Sequence, residues 1–237
     1  MRRRTRLSAA LAGIALICGA WALPAQARQP VVVELFTAQG CSSCVAADDV
    51  FKDLAGKPDV LALTLAVDYW DYLGWQDTFA KPEFTARQRA YMQKLAIREV
   101  YTPQVVVDGR SQAAGGDRAK VEALVAKAGH ARPAPLKMTF LRRAYVQVGS
   151  ARPPVGGADV WLVRYDPAVQ EVQVKRGENR GETLAQRNVV RQLMRLGGWY
   201  GKSKVFAAPA APAGETLKTV VLVQARGGGR ILGVLQR

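Results

Sequence analysis

Histidine is almost missing from this chain: His130 is the only one among 237 residues. A closed four-ligand Cys/His zinc site therefore cannot form within one subunit without carboxylates. Cysteine is nearly as scarce, at three, which excludes the disulfide framework that staples many small secreted domains. Acidic residues are outnumbered, 19 against 34 Lys and Arg, for a formal net charge of +15. The basic residues are scattered, and no nucleic-acid-binding motif accompanies them, so nucleic acid is not an expected partner. What the charge leaves is a soluble basic surface, or attraction to an anionic envelope surface. After residue 27 no apolar run is long enough to span a bilayer. Internal repeats are also lacking, and nothing sets an oligomeric state.

What is present begins at the N-terminus. Arg2, Arg3, Arg4 and Arg6 precede an apolar stretch from Leu7 to Leu23, broken only by Ser8, and Ala25-Gln26-Ala27 follows. A basic start, a short apolar run and a small-x-small site make a secretory signal peptide over 1–27. The run is short for a retained anchor. Export to the periplasm or the extracellular space is the expected consequence, with no integral membrane segment after cleavage. Ile17 precedes Cys18 where a lipoprotein carries a small residue, so Cys18 is expected to leave with the peptide. Losing those four arginines lowers the formal charge from +15 to +11. Only Cys41 and Cys44 then remain.

The rest divides near Pro133-Ala134-Pro135. Over 28–132 the patterns predict a strand at Val31–Phe36, a helix at Cys44–Gly56, a strand at Val60–Val67 and a helix at Phe84–Ile97. Strands at Gln104–Asp108 and Ser111–Ala114 follow around an Asp108-Gly109 turn, then a helix capped by Asp117 and ending at Gly129. That order is an α/β class. A C-x-x-C at the first strand–helix junction makes the layout thioredoxin-like. Over 136–237 strands dominate: Leu136–Phe140, Ala144–Val148, Asp159–Tyr165, Glu171–Lys175, Lys218–Gln224 and Ile231–Leu235. Asn188–Leu196 fits a short helix or a strand, and Ala207–Ala213 is a Pro/Ala loop. This half reads as a β-rich, sandwich-like C-terminal module.

Chemistry centres on Cys41-Ser42-Ser43-Cys44. A helix N-terminus favours a thiolate, because its unpaired N–H groups and dipole stabilise negative charge. In a redox reading Cys41, nearest solvent, attacks, and Cys44 resolves the mixed disulfide. Two other readings stand beside it: a permanent bridge, which closes too small a loop to stabilise much, and a soft-metal site. Thr102-Pro103, directly before a buried strand, is placed for a cis bond beside the sulfurs. Glu34 is either a proton relay for Cys44 or a strand carboxylate bonded to backbone or an arginine. Asp68-Tyr69-Trp70-Asp71-Tyr72-Leu73-Gly74-Trp75 either walls the sulfur site or packs over the sheet end. Thr102, Gln104, Asp68 and Trp70 are the candidate substrate-binding residues. His130 reads as a helix cap, and Glu178-Asn179-Arg180-Gly181 as a turn. No cofactor and no metal ligand set is expected.

Several segments resemble one family: Val33-Glu34-Leu35-Phe36-Thr37, Gly40-Cys41-Ser42-Ser43-Cys44, Val67-Asp68-Tyr69-Trp70-Asp71, Gly74-Trp75, Thr85-Ala86-Arg87-Gln88-Arg89-Ala90-Tyr91 and Tyr101-Thr102-Pro103-Gln104. Glu178-Asn179-Arg180-Gly181, Asn188-Val189-Val190-Arg191 and Gly197-Gly198-Trp199 extend the match. They are similar to the secreted bacterial thioredoxin-like proteins of the domain-of-unknown-function 1223 family. The resemblance implies a thioredoxin-like fold and export, and supplies no substrate. Such proteins usually carry a histidine where this chain has Ala66 and a proline where it has Val45. The missing histidine removes one acid–base or metal-ligating group. The expected function is thiol–disulfide exchange on protein or small-molecule thiols and disulfides. The alternative is a non-catalytic envelope binding module whose cysteine pair is a fixed disulfide or soft-metal site.

Overall fold

Alternation within Val31–Thr37 sets the architecture. Val31, Val33 and Leu35 enter one apolar cluster, and Val32 and Phe36 another. A strand buried on both faces belongs inside a sheet that is covered twice. The computed structural model describes residues 29–130, 135–142, 144–211, 214 and 216–237. The signal peptide read over 1–27, with Cys18, and most of the junction at Pro133 and Ala134 lie outside the described residues, as do Pro212 and Ala213 of the Pro/Ala loop.

The described residues form β1 (Val31–Thr37), α1 (Cys44–Ala55), β2 (Val60–Ala66), α2 (Pro82–Lys94), β3 (Gln104–Val107), β4 (Ser111–Ala114) and α3 (Arg118–His130). These are followed by β5 (Met138–Leu141), β6 (Tyr145–Val148), β7 (Ala158–Gln173), β8 (Thr183–Trp199), β9 (Lys204–Ala207), β10 (Lys218–Ala225) and β11 (Ile231–Gln236). They build a mixed α/β fold. One sheet has eight strands in the order β11-β10-β7-β8-β2-β1-β3-β4, and a second has three, β5-β6-β9. β1 lies parallel to β2 and antiparallel to β3.

On one face of the large sheet α1 and α3 bury Ala47, Val50, Phe51, Leu54, Val121 and Val125. On the other, α2 contributes Phe84 and Tyr91, which pack with Val163, Tyr165, Val190, Val220 and Leu222 of the later strands. Successive residues of β10 face opposite ways: Val221 and Val223 pack with Val146, Val148 and Phe206 of the small sheet. Strands from both sides of residues 131–134 thus share one sheet. They meet where β2 runs parallel to β8, with Thr64 registered on Val189. Side chains complete this thin joint: Thr64 Oγ1 donates to the Arg187 carbonyl at 2.7 Å, and Asn188 Nδ2 to the Ala62 carbonyl at 2.9 Å. Asn188 has φ +53°, a backbone state that asparagine tolerates better than most residues.

Two differences from the sequence reading have physical reasons. Asp159–Tyr165 and Glu171–Lys175 are expected as separate strands. They are one strand, β7, which absorbs Pro167 in a register shift between Asp166 and Val169. Asn188–Leu196 is strand throughout, held by β7 along its length. β9 was not foreseen; its four residues are too few to show a period.

Candidate functional site

The C-x-x-C sits where β1 gives way to α1. β1 ends at Thr37, whose carbonyl accepts from Val67 N–H at 2.9 Å. A tight turn follows, with Cys41 N–H donating to Ala38 O and Cys44 N–H to Cys41 O, each at 3.1 Å. Cys44 is the first residue of α1. The two cysteines form a disulfide, with Cα atoms 5.4 Å apart. The Thr102–Pro103 bond is cis. Thr102 Oγ1 lies 3.4 Å from Cys41 Sγ, Ser43 Oγ lies 3.4 Å from the same sulfur, and Trp70 Nε1 donates to Thr102 Oγ1 at 2.7 Å. Gly115 leaves no room for a side chain here: a Cβ would stand 2.9 Å from Ala47 Cβ and 3.0 Å from Pro103 Cβ.

Cys41 is not the solvent-facing sulfur that the redox reading expects. It is 0% exposed and Cys44 is 1% exposed. Cys41 belongs to the apolar core, and the tip of the β7–β8 hairpin packs onto the loop that carries it. Glu178 accepts from Ser42 N–H at 3.0 Å and from Ser42 Oγ at 2.7 Å. The same two bonds, the backbone one foremost, hold its carboxyl below the usual range. Asn179, itself buried, donates through Nδ2 to the carbonyls of Gln39 at 2.9 Å and Cys41 at 3.0 Å. Glu178-Asn179-Arg180-Gly181, read from sequence as a plain turn, thus clasps the cysteine loop from well over a hundred residues away. Local spacing carries no sign of this contact.

The other candidates are distributed around the site. Glu34 is the arginine-bonded carboxylate of its two readings. Arg87 Nε reaches Glu34 Oε1 at 2.5 Å and Arg87 Nη2 reaches Oε2 at 3.0 Å, while Tyr91 OH also donates to Oε2. Gln224 of β10 joins in, accepting from Arg87 Nη1 at 3.1 Å and donating to Tyr91 OH at 3.0 Å. Burial works to lower the Arg87 pKa, but Glu34 and Tyr91 beside it raise it overall; burial pushes Tyr91 well above its ordinary value. Of the substrate-binding candidates, Thr102 and Trp70 stand at the sulfurs. Asp68 instead accepts from Thr85 Oγ1 at 2.6 Å, and Gln104 accepts from Gln88 Nε2 at 3.0 Å.

The aromatic loop after β2 is anchored on Gln39. Its Oε1 accepts from Trp75 Nε1 at 2.9 Å and Thr78 N–H at 3.2 Å. Asp77, raised by burial, accepts from Gln39 N–H at 2.7 Å and Phe79 N–H at 2.9 Å. Sequence reasoning missed Asp48, a buried acid on α1. Burial pushes its carboxyl up to about 8, against the pull of Lys52 and with smaller contributions from Asp49 and Asp77. Its spacing from Cys44 was the available signal. His130 Nδ1 lies 2.6 Å from the Ala126 carbonyl, at the end of α3. Among the described residues no group of three or more His, Cys, Asp or Glu is placed to hold a metal, and no helix is long and apolar enough to cross a membrane.

Fold and site together define a mixed α/β protein with a buried C-x-x-C disulfide at a strand–helix junction. The chain belongs to the family described as protein of unknown function DUF1223, matched over residues 32–224. It is similar to a protein of Agrobacterium tumefaciens solved by X-ray crystallography in a structural genomics programme. Identity is 32%, the match covers 90% of this chain and 95% of that one, and the TM-score is 0.72. No curated protein matches.

Proposed function

We propose that this is an exported, thioredoxin-like thiol–disulfide exchange protein acting on protein or small-molecule thiols and disulfides. The observation that carries the reading is the Cys41–Cys44 disulfide at the start of α1, with the Thr102 hydroxyl 3.4 Å from Cys41 Sγ beside cis-Pro103. A partner thiolate attacks Cys41 Sγ, and Cys44 leaves as the thiolate. When Cys41 is itself the thiolate, the Thr102 and Ser43 hydroxyls and the N-terminus of α1 are its stabilising neighbours. The thioredoxin-like assignment extends over 28–132, with 136–237 as a β-rich module that supplies the cover. Export through the 1–27 signal peptide puts the protein in the periplasm or outside the cell, where disulfides persist.

One observation favours a second reading. Both cysteines are buried, and Glu178 and Asn179 hold the loop that carries them, which suits a fixed bridge in a non-catalytic binding module. Equilibration with glutathione buffers separates the two. Exchange predicts reversible opening of the pair and, in a Cys44→Ala variant, mixed disulfides on Cys41 with envelope partners. A pair that stays closed in strongly reducing buffer and traps nothing sinks the exchange reading.

A further inference from the structure

We infer that Asp48 is the proton carrier for Cys44 when the disulfide opens and closes. This rests on the exchange reading above. Cys44 opens α1 and Asp48 stands four residues on. Their side chains therefore lie one turn apart on the same helix face, with Cβ atoms about 5–6 Å apart, within reach directly or through one water. Both are buried, Cys44 at 1% and Asp48 at 8% exposure. From β8, Gln186 approaches the Asp48 carboxyl. Gln186 is itself 2% exposed, and neither of its amide atoms completes a hydrogen bond. The charged groups facing Asp48 are Lys52 and Asp49 on its own helix and Asp77 on the loop before α2.

The other buried acids are occupied. Glu34 has both oxygens filled by Arg87 and Tyr91, and Asp77 has both filled by backbone N–H groups. Among the described residues, Asp48 alone combines burial, a place one helical turn from Cys44 and a carboxyl not taken up by an arginine or by backbone N–H groups. With burial pushing it to about 8, it approaches a thiol, at roughly 8.5, and transfer runs near balance in either direction.

The step closes as follows. A partner thiolate attacks Cys41 Sγ, and the S–S electron pair leaves on Cys44. Neutral Asp48 gives its proton to that sulfur and becomes a carboxylate, which later takes a proton from solvent. The partner sulfur is oxidised into the mixed disulfide and Cys44 is reduced. In reverse, the Asp48 carboxylate takes the Cys44 proton as Cys44 attacks the mixed disulfide.

The first measurement is the thiolate absorbance of Cys44 against pH in a Cys18→Ser, Cys41→Ser background, where it is the sole thiol. Asp48→Asn should lower the Cys44 pKa by about one unit or more, since a neighbouring negative charge is gone. Asp48→Glu should keep it. An unmoved Cys44 overturns the inference. The second is the rate at which Cys44 resolves a mixed disulfide between Cys41 and glutathione. Asp48→Asn should slow it on the order of tenfold to a hundredfold at neutral pH and flatten its pH profile, with Asp48→Glu recovering part. An unchanged profile overturns the role. If the titration moves but the wild-type pair never exchanges, the exchange reading falls and the carrier role with it, while the Cys44–Asp48 coupling stands.

Discussion

Glu34 and Asp48 are buried acids in opposite surroundings. Glu34 meets a guanidinium and a phenol; Asp48 meets an amide and, one helical turn on, Lys52. Removing one partner of a buried ion pair leaves the other charge uncompensated. Glu34→Gln or Arg87→Met is therefore expected to cost about 3–5 kcal/mol in denaturant unfolding, while the double change Glu34→Leu, Arg87→Met costs much less. Asp48 acts with the other sign. Its folded pKa is raised, so between about 4 and 8 the folded state holds a proton that the unfolded chain has lost. Stability falls as pH rises through that window. Asp48→Asn should raise the melting temperature at pH 8 and change it little at pH 4; an equal gain at both would contradict the assigned charge state. Cys41, Cys44, Thr102 and Pro103 were legible in sequence because strand, turn and helix signals surround them. The surroundings of Glu34 and Asp48 were not, because Arg87 and Tyr91 on α2 meet the first and tertiary burial encloses the second.

At the level of elements, the β7–β8 hairpin holds the cysteine loop. Its tip supplies the hydrogen bonds to Ser42, Gln39 and Cys41. Replacing Glu178 and Asn179 together by alanine should speed reduction of the pair by a phosphine at least about tenfold, since each hydrogen bond is worth about 1 kcal/mol. An unchanged rate would mean that other residues, with Trp70 and Thr102 the first suspects, shield the sulfurs. The Glu178 carboxyl is held low by Ser42, so its bonds persist above that lowered pKa and weaken only as pH falls through it. The first seven elements were readable to within a few residues, as each carries its own periodicity. The hairpin was not, because its length shows only once Pro167 is seen inside a strand.

At the scale of the whole molecule, strand pairing across the midline is thin, while one apolar cluster spans it. β1 to β4 and β7, β8, β10 and β11 belong to one sheet, joined at Thr64–Val189 and by the bonds of Thr64 and Asn188. The Glu34–Arg87–Tyr91–Gln224 cluster bridges the same halves. Gly228, at φ +74°, presses its backbone to α2, where an added Cβ would meet Ala90 at 2.8 Å. A chain stopped at residue 130 bares the β2 edge and the apolar face that Val163, Val190 and Leu222 cover. It should lack a cooperative thermal transition; a sharp transition in that fragment would show that the first seven elements stand alone. Sequence alone separates the two halves because the crossing contacts have no local signature. The cysteine loop lies in one half, and the Glu178 and Asn179 side chains that hold it lie in the other. The joint between β2 and β8 is therefore a tear line: heat or tension that parts it releases the bonds of Glu178 and Asn179 on the cysteine loop, so wear on the protein is felt first around its disulfide.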